Sequence, residues 1–378
     1  MRLFTAAVLG IASACTPAHT AEHELALPGT RDGSPTAPGP APRLRSFDSA
    51  EVNARCAECH ADIASEWAGS LHRMAHTDPS YQRQFVREPF PFCTACHAPE
   101  AIPTEPVPEP LSQIGVACVT CHVVGDHILA ASKSDSGGHD GEHHTLTRTA
   151  AMAGSEACAA CHEFSFPEER GRDHPLMMQS TISEHAASSY RDRSCASCHM
   201  PVVPGTRDGA HRSHAFAASR DEAMVRSAIV VDESPLRDGV FTLTLRPGKV
   251  GHAFPTGDML RRLALTIEAV DETGRPVRRD EHFFGRRFGY RSMANVAPRR
   301  VLAADQRVGV AASPITVRYD ASALSPGARI HYTLRYERVG DPTGDDGRAV
   351  IDGSVLLAGS TISIASAAPA AISPPRQF

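Results

Sequence analysis

The sequence predicts two consecutive domains of different class: a mainly helical and irregular domain over residues 46–220, then an all-β sandwich of immunoglobulin-like type over residues 221–366. Two observations support this division. All five copies of a Cys-x-x-Cys-His pentapeptide lie in the first region. The second region has no cysteine and contains short alternating stretches such as VFTLTLR and ARIHYTLRY, separated by turn signals such as RDG and GDDG.

The N-terminus has the pattern of an export signal over residues 1–14. Arg2 supplies a minimal charged region, and the apolar stretch that follows is shorter than the about 20 residues of a membrane-spanning helix. Ala12 and Ala14 form a small-residue cleavage site. Cys15 directly after it resembles a bacterial lipidation site, although Ala12 stands where leucine is usual. We therefore expect an exported bacterial protein, periplasmic or anchored at the outer membrane through lipidated Cys15.

Composition narrows the classes of partner. The chain has 378 residues, of which 42% are hydrophobic and 21% charged, so most of it is expected to fold. A net charge of −5 without any basic block argues against a nucleic-acid partner. Residues 15–45 are rich in Pro, Gly, Ala, Ser and Thr, which predicts a flexible linker, and residues 367–378 form a tail.

The five pentapeptides carry the chemistry. They read CAECH, CTACH, CVTCH, CAACH and CASCH, with the cysteines Cys56, Cys59, Cys93, Cys96, Cys118, Cys121, Cys158, Cys161, Cys195 and Cys198. Structural zinc or disulfides would also explain paired cysteines, but neither requires histidine at the next position. Covalent c-type haem does, because two cysteines one turn apart bind one porphyrin and the adjacent imidazole reaches its iron. We predict five covalently attached haems c, with the proximal ligands His60, His97, His122, His162 and His199.

The sequence around these motifs resembles the multihaem cytochromes of the hydroxylamine-oxidoreductase-like and cytochrome c-554-like superfamily. The matching words are CAECHADIASEWAGSLHRMA, PFCTACHAPE, GVACVTCHV, CAACHEFSFP, CASCHMP followed by SHAF, and GHAFPTG at 251–257. They occur in matching order over roughly 50–260, and apart from the haem motifs they are specific only as an ordered set. The resemblance implies bacterial electron carriers with mostly bis-histidine iron and, in many members, a C-terminal β-sandwich.

The second axial ligand of each iron decides the function class, because an open position can bind and transform a substrate. His72 is favoured as a distal ligand by its match to the family word W-x-x-S-x-H. His144 ends a His-rich loop before the fourth motif and is a further candidate, with His139 and His143 as alternatives.

Two further distal ligands are expected nearer the second domain. His214, in the SHAF word, is one candidate, with His211 as its alternative. His252, in GHAFPTG, is another, and from an inter-strand loop it could ligate a haem of the first domain. For the fifth iron we expect His185, with other candidates at His174, His76, Met177 and Met178.

These features predict an electron carrier that exchanges electrons with other redox proteins. All five motifs end in histidine, none in the lysine used at the substrate haem of cytochrome c nitrite reductases, and no tyrosine matches a haem cross-link. The alternatives are a reductase or oxidase of small nitrogen or sulfur compounds at one open iron, and a haem filament. The β-sandwich is interpreted as a cap that supplies His252, with docking to a partner as the alternative.

The first domain should depend on its haems for folding. Residues 46–218 contain few runs of Leu, Ile or Val, so the flat apolar macrocycles are expected to supply much of the surface that this region buries. Expression without the haem-attachment machinery should give a chain whose N-terminal half is digested quickly in limited proteolysis. Resistance of that half in a colourless preparation would contradict the prediction.

Overall fold

The computed structural model describes residues 45–364 except 126, 133–143, 170–171, 207–208, 294–295, 311–313 and 343–347. The expected export signal, Cys15, the linker up to residue 44, and the tail lie outside the described residues, as do the alternative ligands His139 and His143.

The chain divides into two compact units. Unit 1 comprises the described residues up to 167 together with 192–217, and unit 2 comprises 168–191 together with the described residues from 218 onward. The last residue of unit 1 is Ala217, three residues before the domain boundary that we expected at 220. Residues 168–191, which we expected in the first domain, group with the second.

Unit 1 is built from short helices joined by irregular segments. Its helices are α1 Ser49–Cys59, α2 Ala61–Ala68, α3 Pro79–Arg87, α4 Pro91–His97, α5 Glu109–Ile114, α6 Cys118–His122, α7 Glu156–His162 and α9 Ala196–His199. Asp48 caps α1 by accepting from the backbone N–H groups of Ala50 and Glu51, and Asp78 caps α3 in the same way. The region is therefore mainly helical and irregular, as the sequence indicates.

The strands of unit 1 are short. They are β1 Val123–Val124, β2 His127–Ala130, β3 Leu146–Arg148, β4 Glu163–Ser165, β6 Val202–Pro204 and β7 Ala210–Arg212. β2 pairs antiparallel with β1 and parallel with β3, and β6 and β7 form an antiparallel hairpin. One 3₁₀ turn, Ala150–Met152, precedes α7.

A small apolar cluster and one buried ion pair organise unit 1. Val52, Ala117, Val119 and Val123 form the buried cluster. The carboxylate of Glu100, 1% exposed, accepts from Arg45 Nε at 2.8 Å, from Ser49 Oγ at 2.8 Å and from Thr120 Oγ1 at 3.0 Å, linking α1 to α6. Burial raises the pKa of Glu100, but these hydrogen bonds and the Arg45 charge outweigh it and hold the pKa below its usual value.

Unit 2 is rich in antiparallel sheet. Its strands are β5 Met177–Ser180, β8 Ile229–Glu233, β9 Val240–Pro247, β10 Arg261–Val270, β11 Pro276–Met293, β12 Val296–Asp305, β13 Ile315–Asp320, β14 Arg329–Asp341 and β15 Val350–Ser363. The helices α8 Thr181–Ala186 and α10 Glu222–Ser227 accompany them, and a 3₁₀ turn at Pro167–Glu169 leads into the unit.

Two sheets form the body of unit 2. A five-stranded sheet has the order β12-β11-β10-β14-β15, and a three-stranded sheet has the order β13-β9-β8. The inward side chains of both belong to one core: Phe241 and Leu243 of β9, Leu265 of β10 and Leu334 of β14 are each at most 1% exposed. The prediction of a β-sandwich after the helical region is confirmed, while its immunoglobulin-like type stays a prediction.

Residues 168–191 are held in unit 2 by ion pairs. Glu184 of α8 accepts from Arg307 Nη2 at 2.6 Å and from the backbone N–H of Ala253 at 3.1 Å. Glu169 accepts from Arg299 Nη2 at 2.7 Å. Charged side chains far apart in sequence thus fix this segment, which is why hydrophobic patterning did not place it there.

None of the described helices is long and apolar enough to cross a membrane.

Truncation of the β-sandwich core should destabilise unit 2 strongly. Leu334 lies on β14, the strand between β10 and β15, and its side chain is fully buried in the core. Leu334→Ala should therefore lower the free energy of unfolding by about 2–5 kcal/mol. Leu302→Ala, at a side chain that is 42% exposed, is the matched control and should change it by less than about 0.5 kcal/mol. Denaturant unfolding followed by far-ultraviolet circular dichroism measures both, and equal effects would contradict the assigned core.

Candidate haem sites

Each pentapeptide lies on a short helix or at its end. The second, third, fourth and fifth motifs end the helices α4, α6, α7 and α9 with their histidines, and His60 of the first motif caps the C-terminus of α1. Residues three apart lie on one face of a helix, so the two cysteines of a motif face the same side. The local structure therefore presents two thiols and the following imidazole together.

The motif cysteines are partly buried, except Cys198, which is exposed. Burial raises the pKa of Cys118 to about 12, and burial likewise raises the pKa of Cys56 and Cys93. In the part of the chain that the structure describes, no three His, Cys, Asp or Glu side chains form a group that could hold a metal ion.

Three proximal histidines face a second histidine at one characteristic distance. The ring centroids are 6.2 Å apart for His60 and His144, 6.2 Å for His122 and His214, and 6.4 Å for His162 and His72. Metal–imidazole bonds are about 2 Å long, so two imidazoles on opposite sides of one ion have centroids about 6 Å apart. The three pairs have the spacing that one intervening iron requires.

His72 has the burial and protonation state of a metal ligand. Its Nδ1 is buried without a hydrogen-bond partner, a rare condition for a polar atom. Burial, followed by the nearby His162, His214 and His199, lowers the pKa of His72 to about 3, so the ring is neutral at pH 7. Neutral imidazole is the form that binds metals.

Gly115 fixes the backbone of His72. The carbonyl of His72 accepts from the backbone N–H of Val116 at 2.9 Å. Gly115 has a φ of 50°, and a Cβ placed on it would lie 2.5 Å from the backbone oxygens of His72 and Arg73. Only glycine allows this close approach, which holds the candidate ligand against the turn before the third motif.

His214 is also neutral, and its orientation is fixed. Burial, followed by the nearby His122, lowers the pKa of His214 to about 4. Its Nδ1–H donates to the carbonyl of Arg212 at 2.8 Å, which leaves the lone pair on Nε2. The alternative candidate, His211, lies 3.2 Å from a carboxylate oxygen of Glu66 through its own Nε2. The structure therefore brings His214, rather than His211, opposite His122.

Backbone carbonyls orient the proximal imidazoles. Nδ1–H of His97 donates to Ala75 O at 2.6 Å, that of His122 to Leu129 O at 2.8 Å and that of His199 to Ala217 O at 2.7 Å. A hydrogen bond of this kind fixes the tautomer with the lone pair on Nε2, as is usual for metal-binding histidines. The proximal rings are thus prepared for the iron through a network that the pentapeptides do not encode.

The histidine of the second motif, His97, is stacked on a tyrosine and does not belong to the three imidazole pairs. The ring of Tyr81 stacks on His97, with centroids 3.8 Å apart and an interplanar angle of 9°. His76, one of the alternative ligands, lies beside Tyr81, with 5.6 Å between the two ring centroids.

The remaining candidate ligands lie in unit 2. His252 follows β9, and its Nδ1–H donates to the carbonyl of Ala253 at 3.0 Å. His185 lies in the last turn of α8 with its Cδ2–Nε2 edge against Gly251: a Cβ there would be 3.0 Å from Cδ2 and 3.6 Å from Nε2. His252 and His185 are therefore neighbours. Met177 and Met178 begin β5, and His174 is exposed.

Sequence reasoning missed the residues that support the ligands. Trp67, expected to pack on a macrocycle or in a helix interface, joins the apolar cluster of unit 1 and donates to Val116 O at 2.8 Å. Glu66, Phe216 and Glu100 were not identified because each acts on residues far away in the chain. The SHAF word, which contains Phe216, was the only available signal.

Comparison with known proteins agrees with this arrangement. Residues 55–123 match the family model for cytochrome c554 and c-prime. The chain is also similar to a penta-heme cytochrome c552 from Thermochromatium tepidum, with 22% identity and a TM-score of 0.62 over 81% of this chain and 97% of that one. This is the fold of a multihaem c-type cytochrome. The findings support haem c as the cofactor and electron transfer as the function class, and cytochromes of this kind are typically exported.

The other comparisons add nothing to the argument. No curated protein matches the chain significantly. An endonuclease/exonuclease/phosphatase from Beutenbergia cavernae matches with 13% identity and a TM-score of 0.18 over 53% of this chain and 42% of that one, which is too distant to show a common fold.

The residues of the chain fit haem c. Each motif offers two cysteines and an imidazole at one short helix, and three motifs also face a second histidine at the required spacing. When bound, the haem iron would supply reversible one-electron chemistry. The chain would contribute the axial imidazole nitrogens.

Loss of a distal histidine should change the spin state of one iron. In His72→Ala the iron facing His162 would lose its second strong ligand, so one low-spin signal should disappear from the electron paramagnetic resonance (EPR) spectrum and a high-spin signal should appear. His127→Ala is the control, because Nδ1 of His127 lies 2.9 Å from Thr147 Oγ1 and the ring faces no motif histidine in the pairs above. An unchanged His72→Ala spectrum would refute the assignment.

Proposed function

We propose that this protein is an exported pentahaem c-type cytochrome that relays electrons between redox partners in the periplasm or at the outer membrane. One observation carries the proposal: each of three proximal histidines lies opposite a second histidine, with ring centroids 6.2–6.4 Å apart. An iron with two imidazole ligands has no position for a substrate, so it can accept and pass on an electron but cannot transform a bound molecule.

The proposed ligand sets follow from these pairs. His60 and His144 serve the first haem, His122 and His214 the third, and His162 and His72 the fourth. The haems of the second and fifth motifs have the proximal ligands His97 and His199.

His252 is the preferred ligand in unit 2. Its Nδ1–H is used by the carbonyl of Ala253, which leaves the lone pair on Nε2 for a metal. His185 packs its Cδ2–Nε2 edge against Gly251. We therefore propose His252 as an axial ligand and His185 as the residue packed beside it, the ligand role of His185 being the alternative.

A second function is supported by the surroundings of the second motif. His97 has Tyr81 stacked on its face, and it is not a member of the three imidazole pairs described above. A haem with one axial ligand at this motif could bind a small nitrogen or sulfur compound, and the protein would then be a multihaem reductase or oxidase. We rank this below electron transfer, because three of the five motifs already face a second histidine.

The location and attachment of the protein belong to the same proposal. The N-terminal export pattern supports a periplasmic protein, and Cys15 would tether it to the membrane if it is lipidated. Its partners would be other redox proteins. A net charge of −5 favours partners that present a basic surface to it.

One set of measurements on the oxidised protein separates the two functions. Mass spectrometry should show five covalent haem additions, and EPR spectroscopy should show only low-spin iron that does not respond to nitrite or hydroxylamine. A high-spin component that shifts when either compound is added would favour the reductase. Fewer than five additions would contradict the pentahaem assignment.

A further inference from the structure

One short segment of unit 1 contacts the distal ligands of two different haem motifs. The segment runs from His211 to Phe216 and contains His214, the histidine that faces His122. The ring of Phe216 lies edge-on to His214, with centroids 5.5 Å apart at 82°. The same ring lies edge-on to His72, with centroids 4.2 Å apart at 65°.

The backbone at Phe216 is held in an uncommon conformation. Its φ is 48°, in the left-handed region that residues with a Cβ rarely adopt. Such a conformation persists only where the surroundings determine it, and it is concentrated at functional sites. Here it directs the aromatic edge between the two imidazoles. Edge-on aromatic contacts have a defined geometry, so the ring restricts how far either imidazole can rotate.

A carboxylate on α2 holds the other end of the segment. Glu66 Oε2 accepts from the backbone N–H of His214 at 2.7 Å, and its Oε1 lies 3.2 Å from Nε2 of His211. The side chain is 24% exposed, so these two contacts are only partly screened by water. Glu66 thereby fixes the position of His214 and occupies the ring nitrogen of the competing histidine.

We propose that Glu66 and Phe216 are positioning residues that give the haems of the third and fourth motifs a common distal support. Phe216 restrains the ligands of both haems, whereas Glu66 restrains only His214 and places a negative charge near that one haem. This inference rests on the proposed bis-histidine ligation of those two motifs and adds a mechanical link between them.

The two residues have distinguishable effects in the purified holoprotein. Phe216→Leu removes the aromatic edge, so the g-values of two low-spin EPR signals should shift, while Phe216→Tyr keeps the edge and should leave them unchanged. If Phe216→Leu does not take up its haems, Phe216→Met offers an unbranched, more adaptable side chain of similar volume and carries the same expectation. A shift of one signal or of none would overturn the shared support.

Charge and geometry can be separated at Glu66. Glu66→Gln retains an oxygen that accepts from His214 but removes the negative charge, which stabilises oxidised iron, so the reduction potential of one haem should rise in an EPR-monitored titration. Glu66→Ala also removes the acceptor and should shift the g-values of that same signal. Asp62→Asn is the matched control: Asp62, one turn earlier on α2, accepts from the N–H and hydroxyl of Thr206 at 2.6 and 2.7 Å. Equal effects of Glu66→Gln and Asp62→Asn would refute the role of Glu66.

The His214→Ala variant tests the proposed ligation separately from the proposed support by Phe216 and Glu66. His214→Ala should convert one low-spin iron to high spin. If it leaves all signals low-spin, the proposed ligation is wrong. If it gives the conversion but the Phe216 and Glu66 variants resemble the parent, the ligation stands and only the common support is wrong.

Discussion

The spacing of paired imidazoles constrains the whole of unit 1. At each of three motifs, the proximal imidazole and a second imidazole have ring centroids 6.2–6.4 Å apart. The two rings are too far apart for direct contact, and the gap between them has the size that one metal ion would fill. An iron between the two rings of a pair would take one nitrogen of each ring as a ligand. The short helices and long irregular segments of unit 1 follow, because few of its residues are needed for an aliphatic core.

The supports of the ligands are polar, and this distinguishes the two units. Unit 2 is stabilised by alternating apolar side chains, such as Leu243 and Leu334, that two sheets bury between them. In unit 1, polar groups fix several of the motifs: Leu129 O accepts from His122, and the buried carboxylate of Glu100 links α1 to α6. Hydrogen bonds are directional, whereas apolar burial is not, so they suit a site in which ring orientation matters.

The features of this structure that could be predicted from the sequence are those that depend on residues close together in the chain. A pentapeptide fixes two thiols and an imidazole within one helical turn, and alternation fixes the buried face of β9, so both could be predicted from short stretches. The pairing of His122 with His214 joins residues 92 positions apart, and only the resemblance of the SHAF word pointed to His214. The placement of residues 168–191 in unit 2 depends on ion pairs to Arg299 and Arg307, which have no periodicity to detect.

Rigid ligands are useful to a protein that only passes electrons. An iron changes charge by one unit at each transfer, and surroundings that are already oriented need little rearrangement when this happens. His72 and His214 would provide ligands of this kind, because both imidazoles are neutral and Phe216 contacts both of them. A substrate-binding iron would instead need an open side and room for the substrate to move. In the stacked Tyr81–His97 pair an aromatic ring lies on the face of a motif histidine, and any catalytic activity should be sought there first.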